Sequence, residues 1–320
     1  MKKRKKILLA GLIGIIIGCS SKNNDHLNGT DLNSSKITEN NIKEKNNKNK
    51  YLKSITYSNL ADETTQNEIR EILKKSGISS ENINLFFQSV SYYNNKTENK
   101  DLIKSGFIDS QNINPVYDEA KIQKLWDKNS PDFVGFNCRI TAFTLMKDFI
   151  VAGKPLTKSG EMLFMDIDSL ASVPFKLFSQ TEKEAFLNIF TEIQTEQTKY
   201  VSVHVKNIQE TWKKRGVKFN KGSKASLISV FFHFNDMPSE NILFIGHVGV
   251  LISEENGSFI FVEKLAFQQP YQVLKFNNRV ELNDYLMNKY DTAWGQPTAK
   301  PFIMENDELL KGYRINPNNK

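Results

Sequence analysis

Apolar residues recur three and four positions apart through the first half of the chain, which is the pattern of amphipathic helices. Capping residues, glycine and proline mark where these helices begin and end. The segment 138–150 is apolar on most sides, which predicts a buried helix. Helices are predicted through Asn67–Leu73 with a stop at Gly77, from Ser80 through Val90, after Pro115, over 138–150, behind a capping box at Thr181–Glu184, and over Val205–Lys214.

Short apolar runs separated by turn signals dominate the second half and predict strands. The pair Asn256-Gly257 predicts a two-residue hairpin turn with positive φ at both positions. Helices first and a mainly antiparallel sheet afterwards predict an α+β fold, with residues 51–320 as one globular domain. The predicted strands are 227–234, 242–252, 259–265 and an edge strand at 271–276, followed by a last helix over 280–289.

The N-terminus has the pattern of a bacterial lipoprotein signal peptide over residues 1–19. A basic stretch at 2–6 precedes an apolar run, 7–17, that is short for a membrane-spanning helix. The run ends in Ile16-Ile17-Gly18-Cys19, a lipobox in which Cys19 receives the lipid. Two acyl chains on one residue give firm attachment to the cell membrane or outer membrane, outside the cytoplasm. The alternative interpretation is a single transmembrane anchor.

Residues 20–50 are rich in Asn, Lys and Ser and predict a disordered tether. The formal net charge of the chain is +7. The signal peptide contributes +5 and the tether +2, so residues 51–320 have a net charge of zero. The basic pI therefore gives no reason to expect a nucleic acid partner.

Cys138 has no disulfide partner in the chain once Cys19 is lipidated. It is either a buried, inert thiol or a nucleophile. A helix N-terminus stabilises a thiolate, and a histidine on a later strand, His247, is placed to take the proton. The backbone N–H of Cys138 is a candidate oxyanion donor, and Asn137 and Gln123 are candidate side-chain donors.

A third polar group is needed to orient the imidazole, and the hairpin register chooses between two candidates. A two-residue turn places Gln268 beside His247 and turns Glu263 to the opposite face. A bulge or a three-residue loop brings Glu263 onto the His247 face. Glu263 is preferred, because it is a carboxylate inside an apolar strand. A solvent-facing glutamate is the alternative interpretation.

No cofactor or metal is expected. The chain has four histidines, without cysteine pairs or a His-Glu-x-x-His pattern, which argues against zinc. Asp166 and Asp168 form an acidic patch too weak for a calcium prediction. No glycine-rich phosphate loop is present in the sequence.

Four strings resemble an uncharacterised family of bacterial lipoproteins known as domain of unknown function 4300. The likeness covers most of residues 51–313 and implies an extracytoplasmic protein without assigning an activity. The strings are Phe136–Phe143, Phe244–Leu251, Phe261–Gln268 and Trp294–Pro301.

The string His247-Val248-Gly249-Val250, followed by a hairpin, is similar to the histidine strand of NlpC-type peptidases and transglutaminase-like proteins. This likeness implies a papain-like architecture, with Cys138 as nucleophile, His247 as base and Glu263 as orienting group. The insert between the cysteine and the histidine is longer than in those families, and glutamate is not their usual third residue. The expected function is a membrane-tethered cysteine hydrolase that cleaves amide bonds in peptidoglycan peptides or envelope proteins. The alternative is a non-catalytic envelope lipoprotein that binds a partner or ligand.

Overall fold

The computed structural model describes residues 51–153, 160–237, 240–293, 295–316 and 318–319. The predicted signal peptide, Cys19 and the 20–50 tether lie outside this range, as does Trp294. Among the described helices, none has the length and apolar character needed to cross a membrane.

The helices begin where the sequence offers capping side chains. Asp62, Ser79 and Asp118 each accept a hydrogen bond from a first-turn N–H of the helix that follows. The capping box is formed by Ser179 and Glu182, two residues before the predicted position. The described helices are α1 (Glu63–Lys75), α2 (Ser80–Lys96), α3 (Glu119–Asn129), α4 (Cys138–Met146), α5 (Phe164–Ser172), α6 (Gln180–Phe190), α7 (Val201–Lys214) and α8 (Arg279–Tyr290).

The described strands are β1 (Ile55–Ser58), β2 (Ile108–Ser110), β3 (Ile150–Val151), β4 (Ile193–Gln194), β5 (Lys218–Phe219), β6 (Ala225–Met237), β7 (Glu240–Ser253), β8 (Phe259–Lys264), β9 (Tyr271–Phe276), β10 (Phe302–Glu305) and β11 (Glu308–Leu309). They form one large antiparallel sheet in the order β11-β10-β6-β7-β8-β9-β1-β2, with β4 also paired to β7, and a separate pair of β3 with β5. The α+β class is therefore confirmed. The strand predicted at the edge, β9, is internal, because β1 pairs with its free side.

Each face of the sheet packs against its own group of helices. The larger core includes residues of α1, α2, α4, α6 and α7, together with Val248 and Val250 of β7. The smaller core lies between the other face and α8, where Leu282 and Leu286 pack with Leu251. Helix α4 contacts β7 and β8 from the larger core.

The β7–β8 hairpin has a three-residue loop, so the predicted two-residue turn was wrong. The Glu254 N–H donates to the Ser258 carbonyl, 2.9 Å away, and residues 255–257 form the loop. Gly257 has a φ of +85°, as expected for the last residue of such a loop. The resulting register pairs Gly249 with Glu263. Its partner Gly249 is two positions from His247 on the same strand, so Glu263 lies on the same face of the sheet as His247.

A β-bulge at Gly246 turns His247 toward α8. Val230 pairs with His247 and Phe231 pairs with Ile245, so Gly246 is the extra residue. Ile245 points into the larger core, and the bulge sends the next odd-numbered residue to the opposite face. A side chain does not fit at this point, because a Cβ on Gly246 would lie 2.4 Å from the Phe232 ring.

One edge of β7 is open beside the bulge. On this edge β4 pairs with residues 242–243 and β8 pairs with residues 249–253. Between them, the Ile245 carbonyl accepts a hydrogen bond from Arg139 Nη1, 2.9 Å away, instead of from a strand. The first turn of α4, which begins with Cys138, therefore lies at this opening.

Candidate active site

Cys138 is the first residue of α4 and lies in a capped, buried helix start. Asn137 is the N-cap, and its Oδ1 accepts the Ile140 N–H at 2.9 Å. This cap leaves the N–H groups around Cys138 without intrahelical acceptors, next to the positive end of the helix. The residue as a whole is 6% exposed. The helix start therefore offers a thiolate both a favourable potential and backbone donors.

His247 joins the thiol to a carboxylate. Its Nε2 is 2.6 Å from Oε2 of Glu263, and its ring is close enough to Cys138 for each group to shift the pKa of the other. Because Nε2 is engaged by Glu263, Nδ1 is the nitrogen left for the thiol. The ring also stacks on Tyr290 of α8, with centroids 4.9 Å apart. These contacts fix the plane of the imidazole between its two partners.

Glu263 is fully buried, which excludes the solvent-facing alternative. Its Oε2 binds His247, and its Oε1 accepts a hydrogen bond from the Tyr285 hydroxyl of α8. Both carboxylate oxygens therefore have a partner in a site that water does not reach.

The electrostatics of the three groups favour an ion pair. Burial raises the pKa of the Cys138 thiol, but the hydrogen bond and charge of His247 outweigh it and hold that pKa below its usual value. Burial lowers the pKa of His247, but its bonds to Cys138 and Glu263 raise it to about 9. Burial raises the pKa of Glu263, and His247 brings it below its usual value. The directions of these three shifts favour the thiolate, the imidazolium and the carboxylate over their neutral or uncharged counterparts.

The other predicted polar residues do not contact His247 among the described hydrogen bonds. Asn137 Nδ2 donates to Asp166 at 2.7 Å, so its amide is engaged in holding the helix start. Gln268 accepts the Tyr93 hydroxyl through its backbone carbonyl, at 3.0 Å. Gln123 donates to Asp127 on the exposed side of α3. The structure thus brings Glu263, and not Gln268, to the imidazole.

A buried ion pair that the sequence did not indicate fixes the nucleophile to the strand. Arg139 donates through Nε and Nη2 to Asp166 of α5, at 2.9 and 2.6 Å, and through Nη1 to Ile245. Asp166 is fully buried and also holds Asn137. Arg139 therefore joins α4, α5 and β7 one residue after the thiol and two residues before His247. Arg139 and Asp166 are 27 positions apart, so no local spacing signal links them.

Lys264 orders the loop that follows Glu263. Its buried Nζ donates to the carbonyls of Ala266, Phe267 and Gln269, and lies 4.0 Å from the Tyr93 ring centroid. Burial lowers the Lys264 pKa well below its usual value, and the nearby Cys138 charge opposes that effect. The loop is thereby held against the side of the site that carries the thiol.

The remaining described histidines form a separate pair. His204 and His233 have ring centroids 4.6 Å apart, and each ring nitrogen has a hydrogen-bond partner in the surrounding segments. Both histidines are therefore buried residues whose ring nitrogens are all paired with neighbouring segments. Within the described part of the chain, no group of three or more His, Cys, Asp or Glu side chains is arranged to hold a metal ion.

Comparison with known proteins gives a family but no characterised relative. The model of a family described as "Domain of unknown function (DUF4300)" matches residues 56–310. This range contains Cys138, His247, Glu263, Arg139 and Asp166. Comparisons with curated proteins and with solved structures returned no match.

Proposed function

We propose, for a chain that belongs to the DUF4300 family, that Cys138, His247 and Glu263 form the catalytic site of a cysteine hydrolase that cleaves amide bonds. The observation that carries this proposal is the buried placement of a thiol at a helix start next to an imidazole that is itself hydrogen-bonded to a buried carboxylate. Nucleophile, base and orienting group in this order are the requirements for nucleophilic acyl transfer.

In the proposed reaction, the Cys138 thiolate attacks the amide carbonyl carbon and the carbonyl electrons move to its oxygen. The backbone N–H groups at the start of α4 stabilise this oxyanion. When the C–N bond breaks, the His247 imidazolium gives its proton to the leaving amine, and a thioester remains. His247 then takes a proton from water and the hydroxide attacks the thioester carbon. The C–S bond breaks, and the carboxylic acid leaves as the Cys138 thiolate and the His247 imidazolium are restored.

Glu263 keeps the imidazole in place through both steps. Its carboxylate fixes Nε2, so that Nδ1 remains directed at the sulfur, and its charge stabilises the imidazolium. The Arg139–Asp166 pair supports the same geometry from the other side, because it holds the helix start against the strand.

The substrate class follows from the predicted export. A lipobox at Cys19 would tether the enzyme to the outer side of a membrane through its N-terminus. Amide bonds in peptidoglycan peptides or envelope proteins are the substrates within reach of such a tether. Incorporation of radiolabelled palmitate in cells tests the anchor: Cys19→Ala should remove the label, and a label retained in that variant contradicts lipidation at Cys19.

A non-catalytic lipoprotein that binds an envelope partner is the second candidate, and the burial of the thiol favours it. With 6% of Cys138 exposed, a substrate reaches the sulfur only if the surrounding loops open. In this role the three residues would be a buried polar network that stabilises the fold.

Alkylation of Cys138 distinguishes the two functions. An ordinary thiol is less than about 1% ionised at pH 6, so an ionised Cys138 should react with iodoacetamide at least about tenfold faster than a model thiol. His247→Ala should remove this excess, and His26→Ala, a histidine of the predicted tether, should keep it. Equal rates in all variants would support the inert thiol.

The activity itself is measured as free amino groups released from purified peptidoglycan and from a synthetic stem peptide. The wild-type chain should release them and Cys138→Ala should not. Fast alkylation of Cys138 without release of amino groups would agree with a cysteine hydrolase but would exclude these two substrates.

A further inference from the structure

The buried carboxylate of Glu263 is held from behind by a tyrosine of α8. The Tyr285 hydroxyl donates to Oε1 of Glu263 and lies 3.3 Å from Oε1 of Gln272. Tyr285 and Gln272 are fully buried. We propose that Tyr285 is a positioning residue that holds Glu263 in the orientation His247 requires, an inference that rests on the proposed function.

Gln272 connects this tyrosine to a longer chain of hydrogen bonds. It lies directly opposite Glu263 on β9, and its Nε2 donates to the Tyr117 hydroxyl at 2.5 Å. The same hydroxyl accepts from Asn59 Nδ2 at 3.1 Å, and Asn59 also donates to the Tyr271 carbonyl. The chain therefore ends on the backbone of β9 and holds the Gln272 side chain beside the Tyr285 hydroxyl, whose single proton goes to Glu263.

A glutamate needs such support more than a shorter side chain would. It has one more rotatable bond than aspartate, and each unfixed rotamer is a state in which the imidazole loses its partner. His247 holds only Oε2. The bond from Tyr285 to Oε1 fixes the second oxygen and hence the plane of the carboxylate.

Tyr285 donates its hydrogen bond to Glu263 as a neutral hydroxyl group. Burial and the Glu263 charge raise the pKa of Tyr285 well above its usual value, so the hydroxyl stays protonated and donates throughout the working range. The Lys289 charge also favours the carboxylate, although burial lowers the pKa of Lys289. The groups that face Glu263 are His247 from β7, Tyr285, Lys289 and Tyr290 from α8, and Tyr117 from the segment before α3.

Tyr285→Phe removes this donor and keeps the ring. Without the hydroxyl, a buried carboxylate oxygen loses its hydrogen bond, so Glu263 takes up a proton at a higher pH. A neutral Glu263 no longer stabilises the imidazolium, and the thiolate of Cys138 in turn loses its counter-charge. The expected result is a Cys138 that ionises at a higher pH, by about 0.5 to 1 pH unit.

The test is the pH dependence of the iodoacetamide rate in the full-length protein. Tyr285→Phe should move the acid limb upward by that amount, so that labelling on this limb falls about three- to tenfold. Tyr313→Phe is the matched control, because it removes the hydroxyl that donates to the Pro301 carbonyl at 3.1 Å, outside the network. Its profile should match the wild type, and thermal unfolding of both variants measures any loss of fold.

A double mutant separates positioning from packing. If Tyr285 acts through Glu263, then Tyr285→Phe should not shift the profile further once Glu263→Gln is present. The hydrogen bond can also be read without a change at Tyr285, since Glu263→Gln should move the Tyr285 Cζ resonance in protein labelled with [ζ-¹³C]tyrosine. This measurement serves if Tyr285→Phe does not fold.

The outcomes distinguish this inference from the proposed function. A wild-type Cys138 that ionises like a model thiol overturns the hydrolase and the role of Tyr285 together. A depressed wild-type profile that Tyr285→Phe leaves unchanged overturns the role of Tyr285 alone. A further shift in the Glu263→Gln background, or a Tyr285 Cζ resonance that does not respond to Glu263→Gln, also contradicts it.

Discussion

Replacing Asp166 by alanine should destabilise the protein more than any surface change on the same helix. The carboxylate accepts Arg139 Nε and Nη2 and Asn137 Nδ2, and it is completely buried. Its removal leaves the Arg139 guanidinium without its counter-ion and the N-cap amide without its acceptor. Breaking a buried ion pair in this way costs about 3 to 5 kcal/mol of unfolding free energy. Because 14% of the Arg139 side chain reaches solvent, we expect the lower end, about 3 kcal/mol.

Urea denaturation measures this difference, and Asp168→Ala is the matched control. Asp168 lies two residues away on α5 with an exposed side chain, so its removal should change the free energy of unfolding by less than about 0.5 kcal/mol. The iodoacetamide rate at pH 6, measured in the fraction that remains folded, should also fall in Asp166→Ala, because Arg139 no longer fixes α4 to β7. Equal unfolding midpoints and slopes for the two variants would refute the reasoning.

Three further changes test other parts of the site. The His247 pKa of about 9 means that its proton, and any stability gained from it, is fully present below pH 6.5 and lost as pH rises through 9; amide hydrolysis should then decline while Cys138 alkylation persists, and parallel declines would contradict the assignment. Gly246→Ala meets an aromatic ring at 2.4 Å and should cost about 1–3 kcal/mol by urea denaturation, whereas Gly222→Ala, with 3.4 Å to its nearest neighbour, should cost less; equal losses would contradict the steric argument. Lys264→Met should speed amide hydrogen exchange in residues 265–269, since the carbonyls it holds lose their donor; unchanged exchange there would refute its role in ordering the loop.

The helices and strands were largely predictable because each depends on local patterns. Asp62 and Ser79 begin helices where the capping signals stand, and Gly77 adopts the positive φ, +94°, that a helix stop favours. Helix α4 ends at Met146 and is followed by one turn of 3-10 helix over Lys147–Phe149. The apolar pattern had predicted an end at residue 150, four residues too late for the α-helix. Apolar spacing indicates which residues are buried, and a buried turn or strand after the helix carries the same apolar residues.

The site was predictable only in part because its geometry is decided by register and by contacts between distant segments. The sequence left both Glu263 and Gln268 as partners for His247, and a single residue in the hairpin loop decided between them. The bulge at Gly246 and the bond from Arg139 to Ile245 depend on how three elements meet at one strand edge. Tyr285 is one of many buried aromatics, and only the fold shows that its hydroxyl reaches the carboxylate.

The three-residue loop has a consequence for how sequences of this kind are compared. Turns usually accept insertions and deletions, and an aligner would treat the loss of Gly257 as a harmless shortening. Here that deletion would change the parity of the hairpin and turn Glu263, six residues from the altered position, to the face away from His247. In this chain the length of an exposed turn is therefore as diagnostic of a complete site as the identity of the three residues themselves.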